Sequence, residues 1–293
     1  MNKVFAYLVT FIFGSYSISQ IENGMIAHLP FNSNLSDISS SAIVVSNSGL
    51  NNFITDRNGI PSYAIDFNGT GHVVLAGSDL KVNFPLTVSL WINLNSLSGV
   101  NTFFKTDNVY NNYYGVWINN LPTGGITLSF GGGLGTTNSS NQRYFTTSDN
   151  FITAGSWHHI LGIIRSYNDM DLYIDCIKAN GVYGGTGLTN VVYSITGEQW
   201  VGGTAGNISN PSGSNVDGAM DQFAFWNREL TPQEISYLCD TYNSLSVPEL
   251  KFDHSEIVNI YDMMGRKVEC TDNAPLVLEF ADGSRKKYFK SSF

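Results

Sequence analysis

The sequence predicts an all-β protein. Apolar and polar residues alternate through many short runs, nearly every run ends at Gly, Asn, Ser or Asp, and aromatic residues are as frequent as charged ones, 13% each. Alternation with a period of two gives a strand one core face and one wet face, and turn residues at short intervals return the chain, the pattern of a sandwich or barrel. Aromatic side chains suit a pleated, half-buried surface.

The elements follow in order. MNKVFAYLVTFIFGSYSISQ has Lys3 before an apolar run and then small residues, a secretory signal peptide over 1–19 cut after Ser19. Its apolar run is shorter than the roughly 20 residues that span a bilayer, and no other segment reads as a membrane-crossing helix. MIAHLPF, YAIDF, HVVLA, LTVSLWIN, YYGVWIN, ITLSF, HHILGII, DLYIDC and DQFAFW read as strands. LTPQEISYLCDTYN reads as the one helix, with Thr231 as its cap, Pro232 in its first turn and Glu234 completing a capping box. NSLSVPEL reads as a linker, and two further strand pairs follow, with turns at Met264-Gly265 and Asp282-Gly283. The expected division is therefore a first domain over 20–244 and a linker with a tail domain over 245–293.

Charge excludes one class of partner. The net charge is −9 and the only cluster of basic residues, Arg285-Lys286-Lys287, lies near the C-terminus, whereas nucleic-acid binding depends on clustered Lys and Arg.

The segment GSWHHILGIIRSYNDMDLYIDC concentrates titratable groups. On a strand His158 and His159 point to opposite faces and cannot share a metal ion, so the segment reads as a plain hairpin. Asp171 and Asp175 share a face but stand four residues apart, about 13 Å along a strand, too far for the two carboxylates of a retaining glycosidase and beyond the inverting range. No nucleophile elbow, phosphate loop or zinc-protease motif occurs, so no catalytic residue is assigned. In NVYNNYYGVWINN, Tyr113 and Trp117 share one strand face among asparagines, and aromatic faces beside amides suit a sugar ring or a peptide side chain. Tyr114, Val116 and Ile118 share the other face, expected in the core. Gly131-Gly132-Gly133 reads as a flexible loop.

MIAHLPFNSNLSD, LTVSLWIN, the hairpin ending LYIDC and VDGAMDQFAFWNRELTPQEI, in this order and spacing, resemble the laminin-G-like, concanavalin A-like family over about residues 21–243. The resemblance implies a two-sheet antiparallel jelly-roll sandwich, a fold that hosts lectins, adhesion modules and some glycoside hydrolases. It also implies a structural Ca²⁺ between the loop after the first strand, which offers Asn32, Asn34 and Asp37, and the last strand, with Asp217 and Asp221. Cys176 stands where the family hairpin has Gly, which puts its tight turn in doubt.

The last 46 residues resemble the C-terminal sorting domains of proteins exported by the type IX system of Bacteroidetes: strand IVNIYD, a G-R turn, strand PLVLEF, a D-G turn and a basic strand. That implies a small β-sandwich tail, the type IX secretion machinery as a partner, and a secreted or cell-surface address on a Gram-negative bacterium. Removal of the tail would take Cys270 with it and leave Cys176 and Cys239, either as a disulfide or as two buried thiols. The expected function is an exported module that binds carbohydrate or a surface-protein ligand, with hydrolysis on the same fold as the alternative.

Overall fold

The structure, a computed structural model, describes residues 20–49, 52–134, 141–147, 149, 151–185, 188–206 and 213–243, and, further on, 257–262, 267, 274–280 and 285–290. The expected signal peptide, the two tail turns and Cys270 lie outside the described residues. The chain divides into two compact units, one ending at Cys239 and one beginning at Asp240. The first therefore ends inside the helix, a few residues before the boundary expected at 244.

The strands of the first unit are β1 (Met25–Leu29), β2 (Val45–Ser48), β3 (Asn52–Ile54), β4 (Ala64–Asp66), β5 (His72–Leu75), β6 (Leu86–Leu94), β7 (Thr102–Asn108), β8 (Asn112–Asn120), β9 (Ile126–Leu134), β10 (Gln142–Thr147), β11 (His158–Ser166), β12 (Asp169–Ile174), β13 (Ile177–Lys178), β14 (Gly181–Gly185), β15 (Glu198–Val201) and β16 (Gly218–Trp226). The helix α1 spans Pro232–Asn243. One sheet runs β13-β12-β11-β6-β16-β4-β3, with β1 also on β16, and the other β14-β10-β9-β8-β7-β15-β5-β2. All pairings are antiparallel, and the two sheets make the jelly-roll sandwich.

The core is the interleaved inner faces. Leu86, Val88, Leu90, Ile92 and Leu94 of β6 meet Val116 and Ile118 of β8 and Leu128 and Phe130 of β9 in one buried cluster. Gly162 of β11 sits where a Cβ would stand 3.1 Å from Ile118 Cδ1, so the sheets approach closely there. Tyr114, expected in the core beside Val116 and Ile118, is only half-buried.

The outward face of the first sheet is covered as well. Leu161 and Ile163 point away from the partner sheet and are fully buried. The segment leading into α1 lies over this face: Leu230 N–H donates to Thr87 Oγ1 of β6 at 3.2 Å. The capping box forms, with Glu234 N–H donating to Thr231 Oγ1 and Thr231 N–H to Glu234 Oε2. Cys239 of α1 is joined by a disulfide to Cys176, with Cα atoms 5.7 Å apart. Cys176 does not abolish the hairpin turn: Asp175 and Cys176 both take positive φ, 50° and 69°, between the paired residues Ile174 and Ile177, as a two-residue primed turn requires.

The glycine triplet is strand rather than loop. Residues 131–133 belong to β9 and pair with Tyr113, Tyr114 and Gly115 of β8. A Cβ on Gly131 would fall 1.6 Å from the Tyr113 carbonyl oxygen, and one on Gly133, at φ 108°, would fall 2.7 Å from the Tyr114 ring. Close approach of the neighbouring strand is what demands glycine there.

In the second unit β17 (Ile257–Asp262), β18 (Ala274–Phe280) and β19 (Arg285–Lys290) form one antiparallel sheet in chain order. Within the tail expected as a small β-sandwich, the three described strands form one antiparallel meander.

Candidate functional site

Register decides which side chains of the second sheet meet. Phe104 pairs with Ile118 and Lys105 with Trp117, after a bulge between Thr102 and Phe104. The extra residue turns both Phe103 and Phe104 into the core and aims Lys105 outward. Trp117 pairs with Ser129, Ser129 with Tyr144 and Tyr144 with Gly184. Partners across strands share a face, so Lys105, Trp117, Ser129 and Tyr144 form one row across β7, β8, β9 and β10. Thr102, Asn119, Thr127, Thr146 and Val182 form a parallel row by the same pairings.

These rows floor a groove of about 1000 Å³, extended by Tyr113, Asn112 and Gln142 and walled in part by Thr204, Ala205 and Gly206. The Tyr113 and Trp117 rings lie 6.3 Å apart at 39°. Trp117 is 9% exposed at the floor, while Tyr113 is half-buried and stands clearer of it. Trp117 and Tyr144 lie two strands apart, about 10 Å at ordinary strand spacing. The Lys105 ammonium sits 5.1 Å from the Trp117 ring centroid and donates to the Asn112 carbonyl oxygen at 3.2 Å. Burial pushes Lys105 down to about 8, and the charge of Asp107 opposes that shift. Gly184 leaves room for Tyr144: a Cβ there would fall 2.1 Å from the phenol carbon Cζ.

Among the lining residues Lys105 is the only charged one, and none is Asp or Glu. Sequence reasoning reached Tyr113 and Trp117 but missed Lys105, Ser129 and Tyr144. The bulge breaks the alternation of TFFKTDN, and QRYFTT follows a glycine-rich run that reads as loop.

The three acids expected on calcium do not come together. Asp37 is spent on its own loop: Oδ1 accepts the N–H groups of His28 and Ser39, and Oδ2 accepts Ile43 N–H and Ser39 Oγ–H, all at 2.8 to 2.9 Å. Asp217 accepts from Asn95 Nδ2 at 2.9 Å. Asp221 is buried in an ion pair with Arg57, whose guanidinium carbon lies 4.9 Å from the Trp91 ring centroid. The Arg57 charge opposes a second cation at Asp221, while Asp221 Oδ1 and Asn32 Oδ1 are buried without a hydrogen-bond partner. Among the described residues the one His/Cys/Asp/Glu group close enough to hold an ion is His159, Cys176 and Cys239, and its sulfurs are in the disulfide.

The other titratable residues of the hairpin have structural partners. His159 is fully buried, with Nε2 2.8 Å from Ser89 Oγ, and burial lowers its pKa to about 4. His158 Nδ1 lies 2.8 Å from Asp175 Oδ2, and Asp175 Oδ1 accepts His159 N–H. Asp171 pairs with Arg165 at 2.9 Å and Lys178 at 2.8 Å. Burial acts to raise both Asp pKa values, but these donors outweigh it and hold them low. Neither acid lines the groove.

The chain belongs to the concanavalin A-like lectin/glucanases superfamily, whose laminin-G model matches residues 67–236. No curated protein matches it. Among solved structures it is similar to the binding domain of Paraclostridial Mosquitocidal Protein 1, at 16% identity and TM-score 0.54, covering 93% of this chain and 65% of that one. It is similar at 15% identity and TM-score 0.52 to a botulinum neurotoxin type C structure described as depending on two ganglioside molecules for cell entry, covering 90% of this chain and 63% of that one. Domain 4 of the arabinanase AbnA from Geobacillus stearothermophilus, solved with arabinotriose, is 20% identical with TM-score 0.49, covering 73% of this chain and 98% of that one. The chain thus spans just under two thirds of each toxin structure's length. No helix among the described residues is long and apolar enough to cross a membrane.

Proposed function

We propose that the sandwich is a glycan-binding module that takes an oligosaccharide in the groove on the outward face of the second sheet. The observation that carries this reading is the convergence of Tyr113, Trp117 and Tyr144 with the hydroxyls and amides of Ser129, Thr127, Asn119 and Gln142 in one cleft. Sugar rings present C–H faces to aromatic rings and a fringe of hydroxyls to polar side chains, and this lining offers both. Hydrolysis is the weaker reading, because acid and nucleophile or base are two carboxylates and the groove lining has none. Protein-mediated adhesion through the same face is the remaining alternative.

A glycan array probed with the purified protein tests the binding reading, with signal expected on a limited set of glycans and lost on Tyr144→Ala. An array without signal would reject it. Sustained release of reducing ends from a polysaccharide would reject the non-enzymatic part.

We propose further that the signal peptide exports the chain and the tail from about residue 248 directs it to the outer surface. The segment order quoted for the tail supports this. Deleting 248–293 is expected to leave a periplasmic protein in a host with the type IX system, and surface display of the truncated chain would overturn the proposal.

A further inference from the structure

Resting on the glycan-binding reading, we infer that the groove selects a sugar carrying a carboxylate, a uronic or sialic acid residue, and that Lys105 is the group that recognises it. The protein as a whole is acidic, with a net charge of −9, yet the lining of this groove holds one cation and no anion. Selection for a neutral glycan gives no reason to bury a lysine at the floor, because desolvating an ammonium is costly and a neutral residue would pack as well.

Lys105 is 7% exposed, and its placement depends on a specific backbone device, the bulge that rotates it out of the core and into register with Trp117. An ammonium has three donors. The hydrogen bond found for it, to the Asn112 carbonyl oxygen, uses one. Asp107, two residues along the strand, is engaged elsewhere, accepting Ser194 N–H and Oγ–H with Lys81 Nζ at 3.5 Å. The Lys105 charge is therefore not neutralised by a contact ion pair. In a partly desolvated cleft it attracts an anion far more strongly than a surface lysine does. A pyranose edge on Trp117 with its carboxylate toward β7 would meet this group.

The titratable groups nearest Lys105 are Asp107 on its own strand and Tyr113 on β8, and around Trp200 of β15, which pairs with Lys105, stand Glu198, accepting the indole N–H, and His72 of β5, whose ring stacks on it at 3.7 Å. With the Lys105 pKa brought down to about 8, the preference for an acidic sugar should fade as pH rises through that value.

The test uses matched probes on the full chain: oligogalacturonate against its methyl ester, a glucuronate-containing oligosaccharide against its glucose counterpart, and sialyllactose against lactose. The expected result at pH 7 is at least tenfold tighter binding of one acid than of its neutral partner, with the advantage removed in Lys105→Met and kept in part in Lys105→Arg. The pair that shows it identifies the source of the carboxylate. Equal affinity within every pair would overturn the inference while leaving glycan binding intact, whereas no binding of any probe and an empty glycan array would remove both. An acid preference that survives in Lys105→Met would remove Lys105 from the role. If that variant does not fold, the pH series decides: a preference unchanged from pH 7 to pH 9.5 counts against Lys105, and one that fades across that range supports it.

Discussion

Cys176, in the turn between β12 and β13, is covalently joined to Cys239 of α1, 63 residues later. The bond ties the helix to the turn that ends β12. Closing a loop of that length removes unfolded-state entropy equivalent to about 4 kcal/mol. Reductant, or the double variant Cys176→Ala with Cys239→Ala, is expected to lower the melting midpoint by roughly 10 °C. Without the bond Cys176 gains nothing from its left-handed backbone, so Cys176→Gly should be more stable than Cys176→Ala by about 1 kcal/mol. Thermal unfolding of the variants, with and without reductant, checks both statements.

His159 makes stability depend on pH in a defined window. Its folded pKa of about 4 lies below the ordinary 6.5, so the unfolded chain takes up the proton first as pH falls. The contribution is fully present above pH 6.5 and is lost progressively down to about pH 4, to about 3 kcal/mol in all. His28, also lowered by burial, acts in the same direction. Denaturant titrations from pH 7 to pH 4 should show a steep loss, with a shallower slope in His159→Asn. Equal slopes in the two proteins would show that His159 is not the group responsible.

Gly184→Ala tests the groove without touching the core. The new methyl group must displace the Tyr144 ring, so glycan affinity should fall at least tenfold, while the edge position of β14 keeps the loss of stability to about 1 kcal/mol. Isothermal titration and thermal melts on the same preparation separate the two effects. Unchanged affinity would mean that Tyr144 does not contact the sugar.

Excess Ca²⁺ and chelator should give the same melting midpoint, because Asp37 is committed to its own loop and Asp221 to Arg57. A ligand that binds the folded state raises the midpoint, so a rise with Ca²⁺ would reveal a site built from other groups.

Much of the sandwich was legible because a strand with one buried face writes its period into the sequence. LTVSLWIN, YYGVWIN, HHILGII and DQFAFW became β6, β8, β11 and β16. The capping box was legible because it is local, three residues from Thr231 to Glu234. What could not be read was fixed by neighbours. The glycines at 131–133 are set by the strand opposite them, the bulge at Phe103 and Phe104 hides the face of Lys105, and the partner of Asp221 comes from a loop 164 residues away. Tyr113 and Trp117 were found because they alternate on one strand, whereas Tyr144 and Ser129 join them only through register between strands.

The rows that floor the groove take one residue from each strand, and the chain neighbours of each such residue point into the sandwich. A substitution at Ser129, Thr127 or Thr146 therefore alters one position along the cleft while the adjoining Leu128, Phe130 and Phe145 go on packing unchanged. Variation in ligand preference can accumulate on this sheet at little thermodynamic penalty, strand by strand, whereas any shift in pairing register would re-deal every row at once.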